Sequence, residues 1–578
     1  MRTSKRLVGL VAIGAAALLV ATACGKSSGT GTQQKSISLA ECESKPNECN
    51  SGPTKAGGTV IQAMEKKLVN WNENSSSGNI LDVTSVLNGV LPNSFYYYPD
   101  NTAQMNTDLL VSAEVTSKDP QTVVYKIQPN ASWDDGTPIS AQDYIYMWQT
   151  LNNKNCPACD EAATTGYDQI KSVTGSDNDK TVTVVFDTPY PDWKGLFNQG
   201  LYPAHIAKQY GNDGSAAGLA KAWEAFKTNQ INYSGWAYKI GEYVKDVSIT
   251  LVPNDKFYGK NKAALDKVIF RVIEDQAQQI PALKNKEVNV LQSQPNQALV
   301  DQVRQSQGID YAVTPGVAWE HVTVNMKNKY LADKALRKAI FTAIDRKQII
   351  SKTLSFFPAA KPLDNHMLLP SQPGYKDNVT QFGYGNGKVD EAKKILTDAG
   401  YTVDPAGLKT KSGETVPPLA FAYTKGNTPR QQAVELMQSE LKPLGITIKV
   451  TPIDSLGDTL DNHAFDLIIF AFVGGPFLTA NVDLWKTGGG GNYPQYSDPK
   501  SDELLKQVAT ELDTAKATDL LNQVDVMVSD AAADLPLFQK PNFLAVSHDF
   551  VNIRPNGTQM TSTYNVDQWS SRATAAAK

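Results

Sequence analysis

The sequence predicts an α/β fold with mixed sheets flanked by helices, on three observations. The chain has 578 residues, 41% of them apolar, which is enough for more than one hydrophobic core. Between Leu419 and Phe472 the pattern reads strand, helix, strand, helix, strand, the spacing of parallel strands joined by crossover helices. Upstream, VVYKI, TVTVVF, VSITLV and KVIFRVI alternate with period two between polar turns, as strands with one buried face do.

Each part of the 419–472 unit has a local cause. LAFAY is the first strand; Thr428 then serves as helix cap and Pro429 as first helical residue of RQQAVELMQSEL, which Pro443 and Gly445 end. ITIKV is the second strand, and a short helical segment from Asp454 leads to the third, FDLIIFAF. That strand runs into VGGPF, so Phe472, Val473, Gly474 and Gly475 lie at the carboxyl end of a parallel strand, the edge at which open α/β sheets hold ligands. Glycines there let backbone approach a ligand, and flanking rings supply apolar walls. Two further helices are read: KALRKAIFTAIDRKQII, capped by Asp333, and EAKKILTDA, bracketed by Asp390 and Gly400.

The N-terminus reads as an export signal. Arg2, Lys5 and Arg6 precede LVGLVAIGAAALLVATA, which meets Cys24 and a polar tract; the length and the Ala/Gly content fit a secretory signal better than an uncleaved anchor. Ala21, Thr22 and Ala23 before Cys24 resemble a bacterial lipobox, which implies cleavage and lipidation at Cys24. The remaining four cysteines form two close pairs, Cys42 with Cys49 and Cys156 with Cys159. In an exported chain each reads most simply as a local disulfide, and the alternative for CPAC is a thiol redox site. Ordered chain is expected from Gly57.

The formal net charge of -4, without a basic run, excludes a nucleic-acid surface. Five scattered histidines match no metal-ligand spacing. No GxSxG elbow, HExxH or P-loop lysine is present, so no catalytic residue, metal or cofactor is expected. GYGNGK from Gly383 and GGGGN from Gly488 read as flexible loops.

The segment YKIQPNASWDDGTPISAQDYIYMW, Tyr125 to Trp148, resembles the signature of family 5 extracytoplasmic solute-binding proteins, the oligopeptide, dipeptide and nickel binding components of ABC importers. Its core is Trp133, Asp135, Gly136, Thr137, Pro138, Ala141 and Asp143, read from the residues themselves as a turn and a helix start. Four further blocks follow in family order: SGWAYKIGEYVKDVSITLVPNDKFYG, LADKALRKAIFTAIDRKQII, KVDEAKKILTDAGY and LPLFQKPNFLAV. The resemblance implies a two-lobed periplasmic-binding-protein type II fold with an extra subdomain in the first lobe. It implies a lipoprotein signal peptide at 1–23, a lipidated cysteine and flexible linker at 24–56, lobe I at 57–315, lobe II at 316–535 and a return to lobe I at 536–570. Crossing strands are expected near 313–325 and 531–541, and cleft walls from Trp71, Asn72, Trp319, Glu320 and the loop Phe472–Gly475.

The implied function is delivery of an oligopeptide or peptide-like solute to ABC permease subunits by a monomeric protein, lipid-anchored on the outer side of the cell membrane. The alternatives are a non-peptide solute such as a sugar or metal complex, or a surface peptide sensor or chaperone not coupled to uptake. Peptide-binding members carry an Asp in the VGGP-equivalent loop that pairs with a peptide's free amino terminus; here that position falls on Gly475. An unpartnered buried ammonium is costly, so the change bears on what the cleft accepts.

Overall fold

The computed structural model describes residues 37–68, 70–404 and 406–573. Cys24 and the leader before it lie outside the described residues.

The spine is an 11-stranded mixed sheet. Its main strands are β1 (Thr59–Met64), β2 (Tyr238–Val244), β3 (Ser248–Pro253), β4 (Lys267–Val272), β5 (Val290–Leu291), β6 (Ile309–Val324), β7 (Leu419–Thr424), β8 (Ile448–Ile453), β9 (Leu467–Val473) and β10 (Asp534–Ser547). Their spatial order is β2-β3-β4-β1-β5-β10-β6-β9-β7-β8. The long antiparallel pair β6 and β10 therefore stands between two half-sheets. The first part of β6, Ile309 to Pro315, pairs with Pro541 to Ser547, and its last part, Ala318 to Val324, pairs with β9. The register shifts between Pro315 and Trp319, an irregularity that bends a strand locally and lies within the expected crossing. In the second half β7 is parallel to both β8 and β9, the arrangement read from the 419–472 pattern.

A separate antiparallel sheet, ordered Leu110–Lys118, Gln121–Ile127, Thr181–Phe186, Ile170–Ser176, forms the extra subdomain. The WDDGTP motif is structural. Trp133 N donates to the Thr137 carbonyl, Gly136 takes φ +93°, and Ser140 with Asp143 closes a capping box on the helix Ala141–Leu151.

The helices that matter for the site are α1 (Leu81–Leu87), α2 (Gln297–Arg304), α3 (Lys334–Ala343), α4 (Arg346–Thr353), α5 (Val389–Asp398), α6 (Thr428–Leu441), α7 (Ala480–Trp485) and α8 (Thr514–Ala531). KALRKAIFTAIDRKQII, expected as one helix, is two. Ile344 is extended and the Asp345 side chain caps α4 by accepting from Gln348 N. The GYGNGK loop fills this break: Arg346 N donates to the Gly385 carbonyl and Gly387 N to the Ile344 carbonyl. A Cβ on Gly385 would meet the Arg346 side chain at 2.0 Å, so glycine here serves close packing rather than flexibility. Two caps also move. Asn427, not Thr428, caps α6, and Lys388 precedes α5, with Asp390 in its first turn.

The expected linker is partly folded. Ile37–Ser38 adds in parallel to β6, Leu39, Cys42 and Cys49 are buried, and Arg554 Nε donates to the Cys49 carbonyl. Cys42–Cys49 and Cys156–Cys159 are disulfide-bonded. Apolar burial against the C-terminal segment, which composition does not reveal, orders this stretch.

Candidate functional site

Side chains alternate across a strand, and the alternation of β6 and β9 divides the sequence-derived site residues between two faces. Trp319 stands opposite Phe472 and His321 opposite Phe470. Their rings lie 5.5 and 4.2 Å apart, and Trp319 packs among Leu363, Met367, Leu369, Leu478 and Trp485. The face of Glu320 carries Ile469 and Phe538, and these three line a cavity of about 800 Å³.

This cavity draws on both half-sheets. The first half gives the Gln294–Ala298 segment after β5, running into the start of α2. The second gives the carboxyl end of β7, where the turn Gly426–Asn427 leads into α6, and the end of α4, Lys352 to Phe356. The crossing strands contribute Glu320, Phe538, Lys540 and Pro541. It thus occupies a strand-end crevice of the type in which open α/β sheets hold ligands. Glu320 is 4% exposed and paired with Arg430 through both carboxylate oxygens. Arg430 also donates to Thr424 Oγ1 at 3.0 Å, and the Lys540 ammonium stands 3.8 Å from Glu320 Oε2.

Gly474 and Gly475 lie beyond β9 and differ in surroundings. Gly474 N donates to the Val317 carbonyl at 2.8 Å, and a Cβ there would stand 3.0 Å from that oxygen. A Cβ on Gly475 would meet nothing within 4 Å. Val473 shares the Glu320 face and is 77% exposed. Further on, Phe477 packs edge-on against Tyr97 at 5.3 Å, and both the backbone N and the hydroxyl of Thr479 donate to Asp192 Oδ2. A second cavity of about 530 Å³ adjoins this contact, lined by Asp192, Trp193, Pro476, Phe477 and Leu478 among others.

Trp71 and Asn72 belong to a different place. Trp71 is buried, its ring edge-on to Tyr243 at 5.1 Å and its carbonyl accepting from Tyr202 Oη. Asn72 is buried in a turn where its Oδ1 accepts from Asn74 N. Neither lines the two cavities; their polar, aromatic pattern serves a packed turn. Glu73 beside them is buried, accepts from Thr84 Oγ1 at 2.9 Å, and burial pushes its carboxyl up to about 7. Sequence reading missed Arg430 and Lys540. The signal for the first was its place on the opening turn of a helix that follows a parallel strand. Nothing local singles out Lys540, which owes its position to strand crossing.

Among the described residues no group of His, Cys, Asp or Glu is placed to hold a metal ion, and no helix is long and apolar enough to cross a membrane.

Comparison with known proteins places the fold. The oligopeptide-binding protein OppA of Mycobacterium tuberculosis is 28% identical over 527 residues, covering 88% of this chain and 85% of OppA. The periplasmic murein peptide-binding protein MppA of Escherichia coli is 24% identical over 457 residues, covering 75% of this chain and 79% of MppA. The solved structure of the periplasmic EDTA-binding protein EppA superposes with TM-score 0.84 at 34% identity, covering 92% of this chain and 99% of that one. Residues 104–495 match the sequence model of the bacterial extracellular solute-binding proteins, family 5, middle region, and the chain belongs to that family.

Proposed function

We propose that the protein binds a peptide or peptide-like solute outside the cytoplasm and passes it, as a monomer, to the permease subunits of an ABC importer. The observation that carries this reading is the 800 Å³ cavity between the half-sheets, floored by the two crossing strands, in a chain of this family. In this reading residues 57–315 with 536–570 form one lobe and 316–535 the other, and the bend at Pro315–Trp319 lets them close on the solute. Glu320, with Phe538 and Ile469, contacts the ligand. Val473 and Gly475 lie at the end of β9 and do not line this cavity, and Trp319 and Phe472 brace the strands from the opposite face.

Mass spectrometry of the ligand that co-purifies, followed by calorimetry and an uptake assay on a deletion strain, tests the reading. A bound peptide and lost uptake are expected; retained uptake with intact binding would assign the protein to sensing instead. A second reading, a non-peptide solute such as a metal chelate, is favoured by the open position at Gly475 and by 34% identity to an EDTA-binding protein. A co-purified ligand without amide bonds would replace the first reading with this one. The membrane tether in either case is lipid on Cys24. Cys24→Ser is expected to move the protein from the membrane fraction to the medium or periplasm, and unchanged retention would refute it.

A further inference from the structure

We propose that His366 is a buried proton switch: as an imidazolium it locks the segment 364–378 onto α8 and, through that segment, holds the stretch between β9 and α7 that reaches across to Tyr97 and Asp192. It works whichever solute the protein carries.

His366 is 2% exposed, and both of its ring nitrogens face oxygen atoms. Nδ1 stands 2.6 Å from Asp525 Oδ1, and Nε2 stands 3.1 Å from the Asp534 carbonyl. A carbonyl oxygen accepts and cannot donate, so Nε2 carries a proton. Asp525 also accepts from His366 N at 2.9 Å and from Asn378 Nδ2 at 2.7 Å, as an ionised carboxylate does, so Nδ1 carries a proton too. A ring protonated at both nitrogens is a cation. Burial by itself would push its pKa down. The hydrogen bond and charge of Asp525, with the charge and carbonyl of Asp534, outweigh burial and hold it above the usual 6.5. Asp525 belongs to α8 and Asp534 to β10, and the Asp534 carboxylate is taken up by His321 of β6. From α4 comes Arg346, paired with Asp364, and Tyr375 stands beside them, its hydroxyl accepting from Asp364 N. The Trp485 ring of α7 lies edge-on to the imidazole at 5.5 Å.

The segment that carries His366 is fastened both to α8 and to the strand end. Asn365 Nδ2 and Asn378 Nδ2 donate to Asn522 Oδ1, and Asn522 Nδ2 donates to the Gly374 carbonyl. Gln372 Nε2 donates to the Gly475 carbonyl at 2.9 Å, and Asn481 Nδ2 donates to the Met367 carbonyl at 3.2 Å. Between Gly475 and Asn481 lie Phe477 and Thr479, the residues that touch Tyr97 and Asp192. Loss of one proton leaves Asp525 or the Asp534 carbonyl facing a nitrogen lone pair, in a core where an unpaired polar group is costly. Local opening of 364–378 relieves that cost, and the reach to Tyr97 and Asp192 slackens with it. Because the folded pKa is raised, the lock is whole below pH 6.5 and is lost as pH rises through the raised value.

The test is side-chain NMR of the histidine-labelled full-length protein from about pH 6 to about pH 10, with amide hydrogen exchange read at the same pH values. The His366 resonance is identified by its loss in His366→Gln or its shift in Trp485→Phe, and in wild type it is expected to stay in the imidazolium form at neutral pH. Protection of 364–378 and of 474–481 is expected to fall by about tenfold across its titration, after correction for intrinsic exchange rates. In His366→Gln, which has no charge to lose, both stretches should be open to the same extent at every pH. Gln372→Ala combined with Asn481→Ala should keep the titration and the response of 364–378, while 474–481 no longer follows pH. This double variant retains His366 and carries the test where His366→Gln does not fold. A His366 resonance that titrates at or below pH 6.5, or protection of 364–378 that is indifferent to its titration, overturns the switch. A pH response of 474–481 that survives in the double variant overturns its transmission to the strand end.

Discussion

Neighbouring residues in this chain are held by different forces, and single substitutions separate them. Gly474 and Gly475 read alike in sequence, but only Gly474 presses on the Val317 carbonyl. Gly474→Ala is expected to cost about 1 kcal/mol, whereas Gly475→Ala or Gly475→Asp should stay within about 0.5 kcal/mol; chemical denaturation of the three variants checks this. Glu73 gives a pH signature. Burial raises its carboxyl from 4.5 to about 7, so its contribution to stability is fully present below pH 4.5 and is lost as pH rises through 7. At about 1.36 kcal/mol per pKa unit, the loss is on the order of 3 kcal/mol. Glu73→Gln should therefore unfold with a flatter pH dependence between pH 5 and 8, and parallel curves for the two proteins would show that Glu73 does not titrate there.

Among the elements, the segment after β9 joins distant parts of the chain. Phe477 rests on Tyr97, and Thr479, just before α7, donates twice to Asp192. Hydrogen bonds to charged groups contribute roughly 1.5 to 3 kcal/mol, and a contact present only when the halves are together shifts the open–closed population by its own free energy. Asp192→Ala is expected to weaken ligand binding about tenfold with little change in unfolding temperature, and to enlarge the radius of gyration of the liganded protein in solution scattering. Unaltered affinity and unaltered scattering would show that the contact does not bias closure. The loop FAFVGGPF thus ends in a brace, and its glycines belong to the strand end before it.

For the whole molecule, the N- and C-terminal segments hold one another. Thr54–Lys55 pairs with Ser570–Arg572, Ile37–Ser38 adds to β6, and Asn50 Nδ2 donates to the Ile553 carbonyl. A variant beginning at Lys35 should keep the unfolding temperature of the full-length protein, and one beginning at Gly57 should lose several degrees, since it loses the Thr54–Lys55 and Ile37–Ser38 strand pairs and the bonds of Asn50 and Cys49 to the C-terminal segment. Equal melting curves would show the segment to be a passenger.

The sequence alone determined the α/β class, the parallel unit from Leu419 to Val473 and the family, because hydrophobic period, caps and turn residues act over a few positions and are written locally. Trp133 to Asp143 carried the family motif for the same reason: its turn and capping box close within ten residues or so. The cavity was decided by tertiary structure. Glu320 meets Arg430 and Lys540 only because β6 and β10 cross beside β9, a pairing of residues more than a hundred positions apart. Whether Trp319 or Glu320 lines the cavity turns on a one-residue alternation that shifts with the register. Trp71 and Asn72 show the same limit from the other side, since an aromatic and an amide in a polar loop look alike whether they meet a solute or Tyr243. Local chemistry names the elements, and long-range strand pairing decides which side chains share a space.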